Sequence, residues 1–362
     1  LKVTKTLPEG IESKMLYSDI IHIAWPSLVE LTLTQLASMV DLMMVGQLGP
    51  WALTAVGLTT QPKFLLMTMF MAMNVGATAM VARYKGAGNQ KKADEVLRQA
   101  LLMTFVLGCV FAVIGFIAAP WLIKFMGASE DHVLQAGVDY LRIQMIGLPG
   151  LALTSTITAT LRGVGNSKTA MIYNAMANII NVIFNYMLIY GNFGAPRMEV
   201  AGASLATIIG QYCAMFMAFY AVMNGQQYII LRFRDGFKPN KEEIKKIVDI
   251  GAPAMVEQVV MRIGLIIYTR TVAGLGTLPY AVHQVCLNIQ SLSFMNGQAF
   301  AVSATSLTGQ SLGKKRHDMA QAYTTRTRKL GMCVSIFLGV VFFFFGGQIV
   351  ALYSGGDQSL VE

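Results

Sequence analysis

The polar and apolar positions of this chain follow a simple rhythm. Long runs with almost no charge alternate with short segments rich in Lys, Arg, Gly and Asn. A helix that crosses a bilayer needs about 20 largely apolar residues. Nine runs meet that length, at roughly 17–46, 52–82, 97–121, 133–161, 168–190, 200–224, 246–273, 279–309 and 322–352. Several are longer than the bilayer requires, which predicts tilted or protruding helices. Stretches such as Val334 to Phe345 have no polar face to offer water. The fold class expected is therefore all-α integral membrane.

The charges give the runs a direction. Lys2, Lys5 and Lys14 lie in the N-terminal tail; Arg83, Lys85, Lys91, Lys92 and Arg98 between the second and third runs; Arg162 and Lys168 between the fourth and fifth. Arg232, Arg234, Lys238, Lys241, Lys245 and Lys246 follow the sixth, and Lys314, Lys315, Arg316, Arg326, Arg328 and Lys329 follow the eighth. If the helices alternate in direction, these 22 of the 28 basic residues share one side, and the opposite connections hold only Lys124 and Arg197. The positive-inside rule then predicts a multi-pass protein of the cell (plasma or inner) membrane with a cytoplasmic N-terminus. The segment up to Lys14 contains no apolar stretch of the kind a cleavable signal peptide needs.

The pattern also repeats. Ile23-Ala-Trp-Pro26-x-x-Val29-Glu30 matches Ile250-Gly-Ala-Pro253-x-x-Val256-Glu257, and Val45-x-x-Leu48-Gly49 matches Val272-x-x-Leu275-Gly276. Ala77-Thr78 matches Ala304-Thr305, Gly86 matches Gly313 and Ala93 matches Ala320, every pair 227 residues apart without a gap. Helices seven to nine thus read as a second copy of helices one to three. Six helices precede the second copy, so both copies insert the same way, a parallel repeat of the kind found in transporters. The organisation expected is a tail over 1–16, a six-helix lobe over 17–224, a cytoplasmic linker over 225–245 and a second lobe over 246–362 of which three helices are visible. Nine helices of an expected twelve predicts a chain cut short, unable to transport on its own.

Polar residues inside a span are costly, and each is a functional hypothesis. Helix one carries Glu30, Thr34, Ser38 and Asp41, whose spacing places them on one face. The two carboxylates stand about 16 Å apart along the axis, too far for a close acid pair but suited to successive stations of a cation path. Helix five carries Asn174, Asn178, Asn181 and Asn185 on one stripe, expected to face that of helix one. Such amides either coordinate a cation or bond between helices. Gln284, Asn288 and Ser291 repeat the theme on helix eight. Lys63, within helix two, is placed to neutralise Glu30 or Asp41, as a structural ion pair or at the substrate path. Arg262 on helix seven, one turn from Gln258, is equally open. By the repeat, Glu257 is the counterpart of Glu30, whereas Asp41 corresponds to Tyr268, so the lobes differ in chemistry and the coupling carboxylate is expected in the first.

Composition removes other classes. Charged residues are 13% of the chain and apolar residues 54%, against about 25% charged in soluble domains. The net charge of +9 sits in inter-helix clusters, which argues against a nucleic-acid partner. Cys109, Cys213, Cys286 and Cys333 lie far apart within apolar runs, without a metal-ligand spacing. His283-Gln284 lacks the context of a zinc hydrolase, and Gly86-Ala-Gly-Asn89 lacks the preceding strand and following Lys-Ser/Thr of a phosphate loop. No enzyme activity and no cofactor are expected, and ATP is not the direct energy source. The 24 methionines and the aromatics supply adaptable apolar surface.

Several motifs carry a resemblance together: Asp41-Leu-Met-Met-Val-Gly46-Gln-Leu-Gly49, Gly76-Ala-Thr-Ala-Met-Val-Ala-Arg83-Tyr-Lys-Gly86, Leu161-Arg-Gly-Val-Gly165, Ala201-Gly-Ala-Ser-Leu-Ala-Thr207, His283-Gln-Val-Cys-Leu-Asn288 and Gly309-Gln-Ser-Leu-Gly313. In this order and spacing the chain resembles the multidrug and toxic compound extrusion (MATE) transporters over essentially its full length. The resemblance implies two six-helix lobes facing each other in a V. It also implies export of organic, often cationic, drug-like compounds in exchange for H⁺ or Na⁺, by a monomer in the lipid bilayer. In the family a helix-one carboxylate is central to coupling, and Asp41 stands in that motif, a possible Na⁺ ligand. An Asn and an Asp one turn apart on helix five often complete the site; here those positions are Asn181 and Asn185, so the second carboxylate is missing. A helix-six Thr and a helix-four Tyr match Thr207 and Tyr140, and Glu257 falls where many relatives carry an acid. The rival readings are a lipid-linked or polysaccharide flippase of the same superfamily, which would present a larger and more basic cavity, and a non-transporting membrane scaffold. The cationic residues are read as nearly all in cytoplasmic loops, which disfavours the flippase.

Overall fold

In the computed structural model the described backbone comprises residues 11–128, 130–273 and 277–354. Among them are nine α-helices: α1 (Ser13–Gly46), α2 (Pro50–Gly86), α3 (Gln90–Phe125), α4 (Asp131–Gly163), α5 (Ser167–Tyr190), α6 (Glu199–Met223), α7 (Lys241–Ala273), α8 (Thr277–Gly313) and α9 (His317–Ser354). All nine expected spans are present. Most run several residues beyond the apolar stretch, because the basic segments continue the helix instead of forming loops. Arg83 and Lys85 occupy the last turn of α2, and Arg162 the last turn of α4. Asn89 and Asn166 cap α3 and α5, accepting from the Lys92 and Thr169 amides at 3.1 and 3.2 Å, as capping residues do for otherwise unpaired helix N–H groups.

Among the described residues, α1, α2, α3, α5, α6 and α9 are each long and apolar enough to cross a membrane. The helix α4 falls short because it is the central helix of the first lobe, buried along most of its length against α2, α3 and α6. Its threonines are therefore satisfied internally. Thr154 and Thr160 bond to the carbonyls four residues back at 2.9 Å, and Thr156 also bonds to Asn74 Oδ1 and Thr104 Oγ1 at 2.8 Å.

Helices α1 and α5 run parallel in a fixed register. Asn174 Nδ2 donates to Glu30 Oε1 at 2.7 Å, Asn178 Nδ2 to Thr34 Oγ1 at 3.1 Å, and Asn185 Nδ2 to Asp41, each pair 144 residues apart. A constant offset means that the two polar stripes stay face to face over about three turns.

The copies α1–α3 and α7–α9 meet at the basic end of the bundle, where α2 crosses α8. A Cβ on Gly86 would collide with the Gln310 carbonyl, and one on Gly313 with the Arg83 carbonyl. Residues 83 and 310 are themselves 227 apart, so the contact is reciprocal about a pseudo-two-fold axis. Around this crossing the first helices are exchanged. The opening turns of α1 pack on the second copy, with Leu16 and Ile20 against Tyr323, Phe300 and Met319. Tyr323 donates to Asp19 at 2.7 Å and Arg326 to Ser13 at 3.0 Å. The opening turns of α7 pack on the first lobe. Ile247 enters the cluster of Ala77, Val81 and Ala93, and the fully buried Glu243 accepts from Tyr84 at 3.0 and 3.1 Å. Lys92 and Lys246 approach the same carboxylate at 3.3 and 3.1 Å.

The connection after α6 lies along α3. Ile229 and Leu231 are buried in the first lobe's core, Ile230 N donates to Asp94 at 2.8 Å, and Arg98 pairs with Asp235 at 3.0 Å.

Candidate functional site

A cavity of about 280 Å³ opens inside the first lobe. Helix α1 supplies Thr34, Ser38 and Asp41; α2 supplies Lys63, Phe64 and Met67; α5 supplies Asn174, Asn178 and Asn181; and α6 supplies Thr207 and Gln211. The helices present these groups because their polar residues recur every third or fourth position, which directs them to one face while the remaining faces bury apolar side chains.

At the end of the cavity away from the basic face, Asp41 is clasped by α5. Asn185 is fully buried and donates to Asp41 Oδ1. Asn181 is also buried, and its amide is assigned the orientation that satisfies the whole network. Its nitrogen donates to both Asp41 oxygens at 2.9 and 3.1 Å, and its carbonyl accepts from the Thr207 amide at 3.1 Å. An ionised carboxylate only accepts hydrogen bonds, and here it takes both amide donors. The Asn185 Oδ1 is a buried oxygen with no partner among the described residues. It is an available hydrogen-bond acceptor for a protonated Asp41 carboxyl, or a ligand for a cation arriving beside Asp41. Tyr140 packs half-buried with Val45 and Ala203 on the neighbouring α1–α6 surface, outside the cavity lining.

At the other end of the stripe the carboxylate has a different partner. Arg162 Nη2 lies 2.8 Å from Glu30 Oε2, with the two side chains 18% and 6% exposed. This corrects one expectation and narrows another. Arg162 is not a loop cation: it sits on α4 and turns into the lobe. Lys63 does not neutralise Glu30, whose charge is already met. Lys63 instead lines the cavity together with Asp41, and no ion pair within 4 Å joins them among the described residues. Arg262 of α7 lies with its guanidinium 4.9 Å from the Phe64 ring centroid, on the other side of a cavity-lining residue. Intramembrane cations are thus more numerous than the loop count suggested.

The remaining expected residues are not brought to this site. Glu257 is exposed on α7, and the side chains of Gln284 and Asn288 lie outside the described residues. Sequence reasoning missed Gln211, which lines the cavity from α6, and Arg162 as the partner of Glu30. Gln211 stands four residues after Thr207, a helical spacing that was available as a signal.

The family profile MatE matches residues 26–187 and 253–362. The chain belongs to the MatE family. The two matched blocks begin at Pro26 and Pro253, in the register of the internal repeat. A probable multidrug resistance protein NorM of Thermotoga maritima is 26% identical over 345 residues, covering 95% of this chain and 73% of that protein. The uncharacterized transporter YisQ of Bacillus subtilis is 25% identical, with 93% and 73% covered. Among solved structures, a multidrug resistance MATE family transporter in an outward-facing conformation superposes with a TM-score of 0.87 at 22% identity, covering 99% of this chain and 79% of that one. A MATE structure in the bent conformation gives 0.86 at 22% identity, with 98% and 79% covered. The chain therefore has the all-helical MATE membrane fold and is a multi-pass membrane protein of a multidrug-efflux transporter family, not an enzyme.

Proposed function

We propose that this chain is a secondary active antiporter of the cell membrane, N-terminus in the cytoplasm, that exports organic drug-like compounds in exchange for H⁺ or Na⁺ by alternating access. The observation that carries this reading is the clasp of Asp41 by Asn181 and Asn185. A carboxylate accepts both amides. A protonated carboxyl turns one oxygen into a donor, and a bound Na⁺ draws both oxygens to itself. Either ion weakens the bond between α1 and α5 along the wall of the cavity. Because a ligand shifts an equilibrium only through different affinity for two states, an ion that loosens this wall changes the cavity's affinity for its compound.

The test is dye efflux from cells or proteoliposomes carrying the full-length protein. Asp41→Asn is expected to abolish the response to an imposed Na⁺ or proton gradient. Gradient-driven efflux that persists at the wild-type rate in Asp41→Asn overturns the coupling role. Running the assay without Na⁺, and separately at clamped pH, names the ion.

A further inference from the structure

We propose that a cavity at the basic end of the bundle, where the two copies cross, holds the phosphate of an anionic phospholipid headgroup between Lys85 and Lys314. This goes beyond the exporter reading and is measured without transport.

The cavity has a volume of about 390 Å³, and both copies line it. Its walls include Asp19 and His22 of α1, Lys85 of α2, Lys314 of α8 and Tyr323 of α9. The crossing that joins the copies also brings the lysines together. Lys85 precedes Gly86 and Lys314 follows Gly313, the two glycines that lie against the opposite backbone. Lys314 is the charge that acts on Lys85, so the tightest contact between the copies carries two like charges. Like charges partly withdrawn from water repel unless an anion lies between them.

The neighbours of the lysines leave that charge unmet. The Val164 carbonyl accepts from Lys85 Nζ, and the Tyr228 ring centroid is 5.6 Å from it. Both partners are neutral, and two of the three ammonium donors remain. The Lys314 side chain has no hydrogen bond and no ion pair among the described residues. Asp19 is the one carboxylate in the lining, and its Oδ2 accepts from the Tyr323 hydroxyl at 2.7 Å. Even set against one lysine, Asp19 leaves the other in excess. The repeat does not account for the pair either. At the offset of 227, Lys85 corresponds to Leu312 and Lys314 to Ala87, so the symmetry mate of this cavity has neither lysine.

The surroundings favour a lipid over a free phosphate. The cavity lies at the end of the bundle that carries the basic segments, where the headgroups are. A basic pocket between helices at the membrane surface suits a phosphate headgroup. Beyond His22, the exposed Trp25, Val29, Leu33 and Leu36 recur at helical spacing. They form an apolar strip about 16 Å long on which an acyl chain can lie. Because the lysines belong to different copies, a headgroup between them bridges α2 and α8. Parting the copies at this end pulls the lysines apart, so the lipid favours the arrangement in which the copies touch.

The test titrates the full-length protein in detergent micelles with dioleoylphosphatidylglycerol or dioleoylphosphatidylcholine and reads bound lipid by native mass spectrometry. The anionic lipid is expected to bind about tenfold tighter. Lys314→Gln, at an exposed position, removes most of that preference, Lys85→Gln acts in the same direction, and Lys314→Arg retains it. Lys91→Gln, exposed on α3 and outside the cavity lining, leaves it unchanged. Amide exchange around Gly313 slows with the anionic lipid in the wild type and not in Lys314→Gln. Equal binding of the two lipids overturns the site, as does a preference that survives in both Lys314→Gln and Lys85→Gln. A loss in Lys91→Gln as large as in Lys314→Gln reduces the effect to general surface charge and also overturns it. Displacement of the lipid by millimolar inorganic phosphate makes the ligand a free anion and overturns the lipid assignment.

Discussion

At the scale of single residues, the two carboxylates of α1 look alike in the sequence and differ in the structure because of what faces them. Glu30 meets a guanidinium and Asp41 meets amides. Breaking a largely buried ion pair from one side leaves an uncompensated charge, at a cost of about 3–5 kcal/mol, whereas replacing both partners by apolar groups is far milder. Glu30→Gln is therefore expected to lower the thermal unfolding midpoint clearly, and Glu30→Leu with Arg162→Leu to recover most of the loss. If the double variant is as unstable as Glu30→Gln, the pair is not the element being lost. The partner of Glu30 was hidden in the sequence for a simple reason. Arg162 ends a helix beside a Gly, where a basic residue ordinarily belongs to the membrane surface, and only the packing of α4 shows that its side chain folds back.

At the scale of helices, the closest approach is the crossing of α2 and α8. Gly86 and Gly313 are needed there because each lies against the other helix's backbone carbonyls, of Gln310 and Arg83. Added volume at such a contact costs about 1–3 kcal/mol. Gly313→Ala should destabilise the protein by that amount in thermal unfolding. Gly339→Ala on α9, where nothing lies within 4 Å of the new carbon, should change stability by less than about 0.5 kcal/mol. Equal effects at the two positions would mean that helix propensity rather than the crossing sets the cost. The polar stripes of α1 and α5 were legible because helical spacing is strict, and their constant offset extends that legibility to the pairing. The low apolarity of α4 was not read from the sequence, where 133–161 counted as one of nine apolar runs; a helix enclosed by others can carry threonines that a lipid-facing helix cannot.

At the scale of the molecule, the two copies are joined by the exchange of their first helices, and the two exchanged segments differ in chemistry. On α1 the segment is held mainly by Leu16, Ile20 and Tyr323. On α7 it is held by the buried carboxylate of Glu243 among Tyr84, Lys92 and Lys246. Glu243→Gln removes the charge that these donors share. Amide hydrogen exchange in the segment around 230–252 is expected to speed up in that variant while exchange around Leu16 and Ile20 stays unchanged. Exchange that speeds up equally in both segments would show that they do not act separately. Of the linker read from its charges over 225–245, the last five residues open α7, and the part before Lys241 is tied to α3 by Asp94 and Arg98, so it adds to the first lobe's surface rather than leaving slack between the copies.

Length and apolarity of nine runs, a repeat held over 227 residues and the helical spacing of Glu30, Thr34, Ser38 and Asp41 were all present in the linear chain. They suffice for the membrane fold and the site's principal carboxylate, because lipid demands continuous apolar helices and a helix puts every third or fourth residue on one face. The partners of those residues were decided by the packing of segments far apart in the chain. Arg162 reaches Glu30 from α4, and Arg262 reaches Phe64 from the other copy. Periodicity orders the residues of one helix relative to each other, but it carries no information about which helix lies across from it. That choice is made by the fit of small residues such as Gly86 and Gly313 against a neighbouring backbone, and it exists only once the helices are assembled.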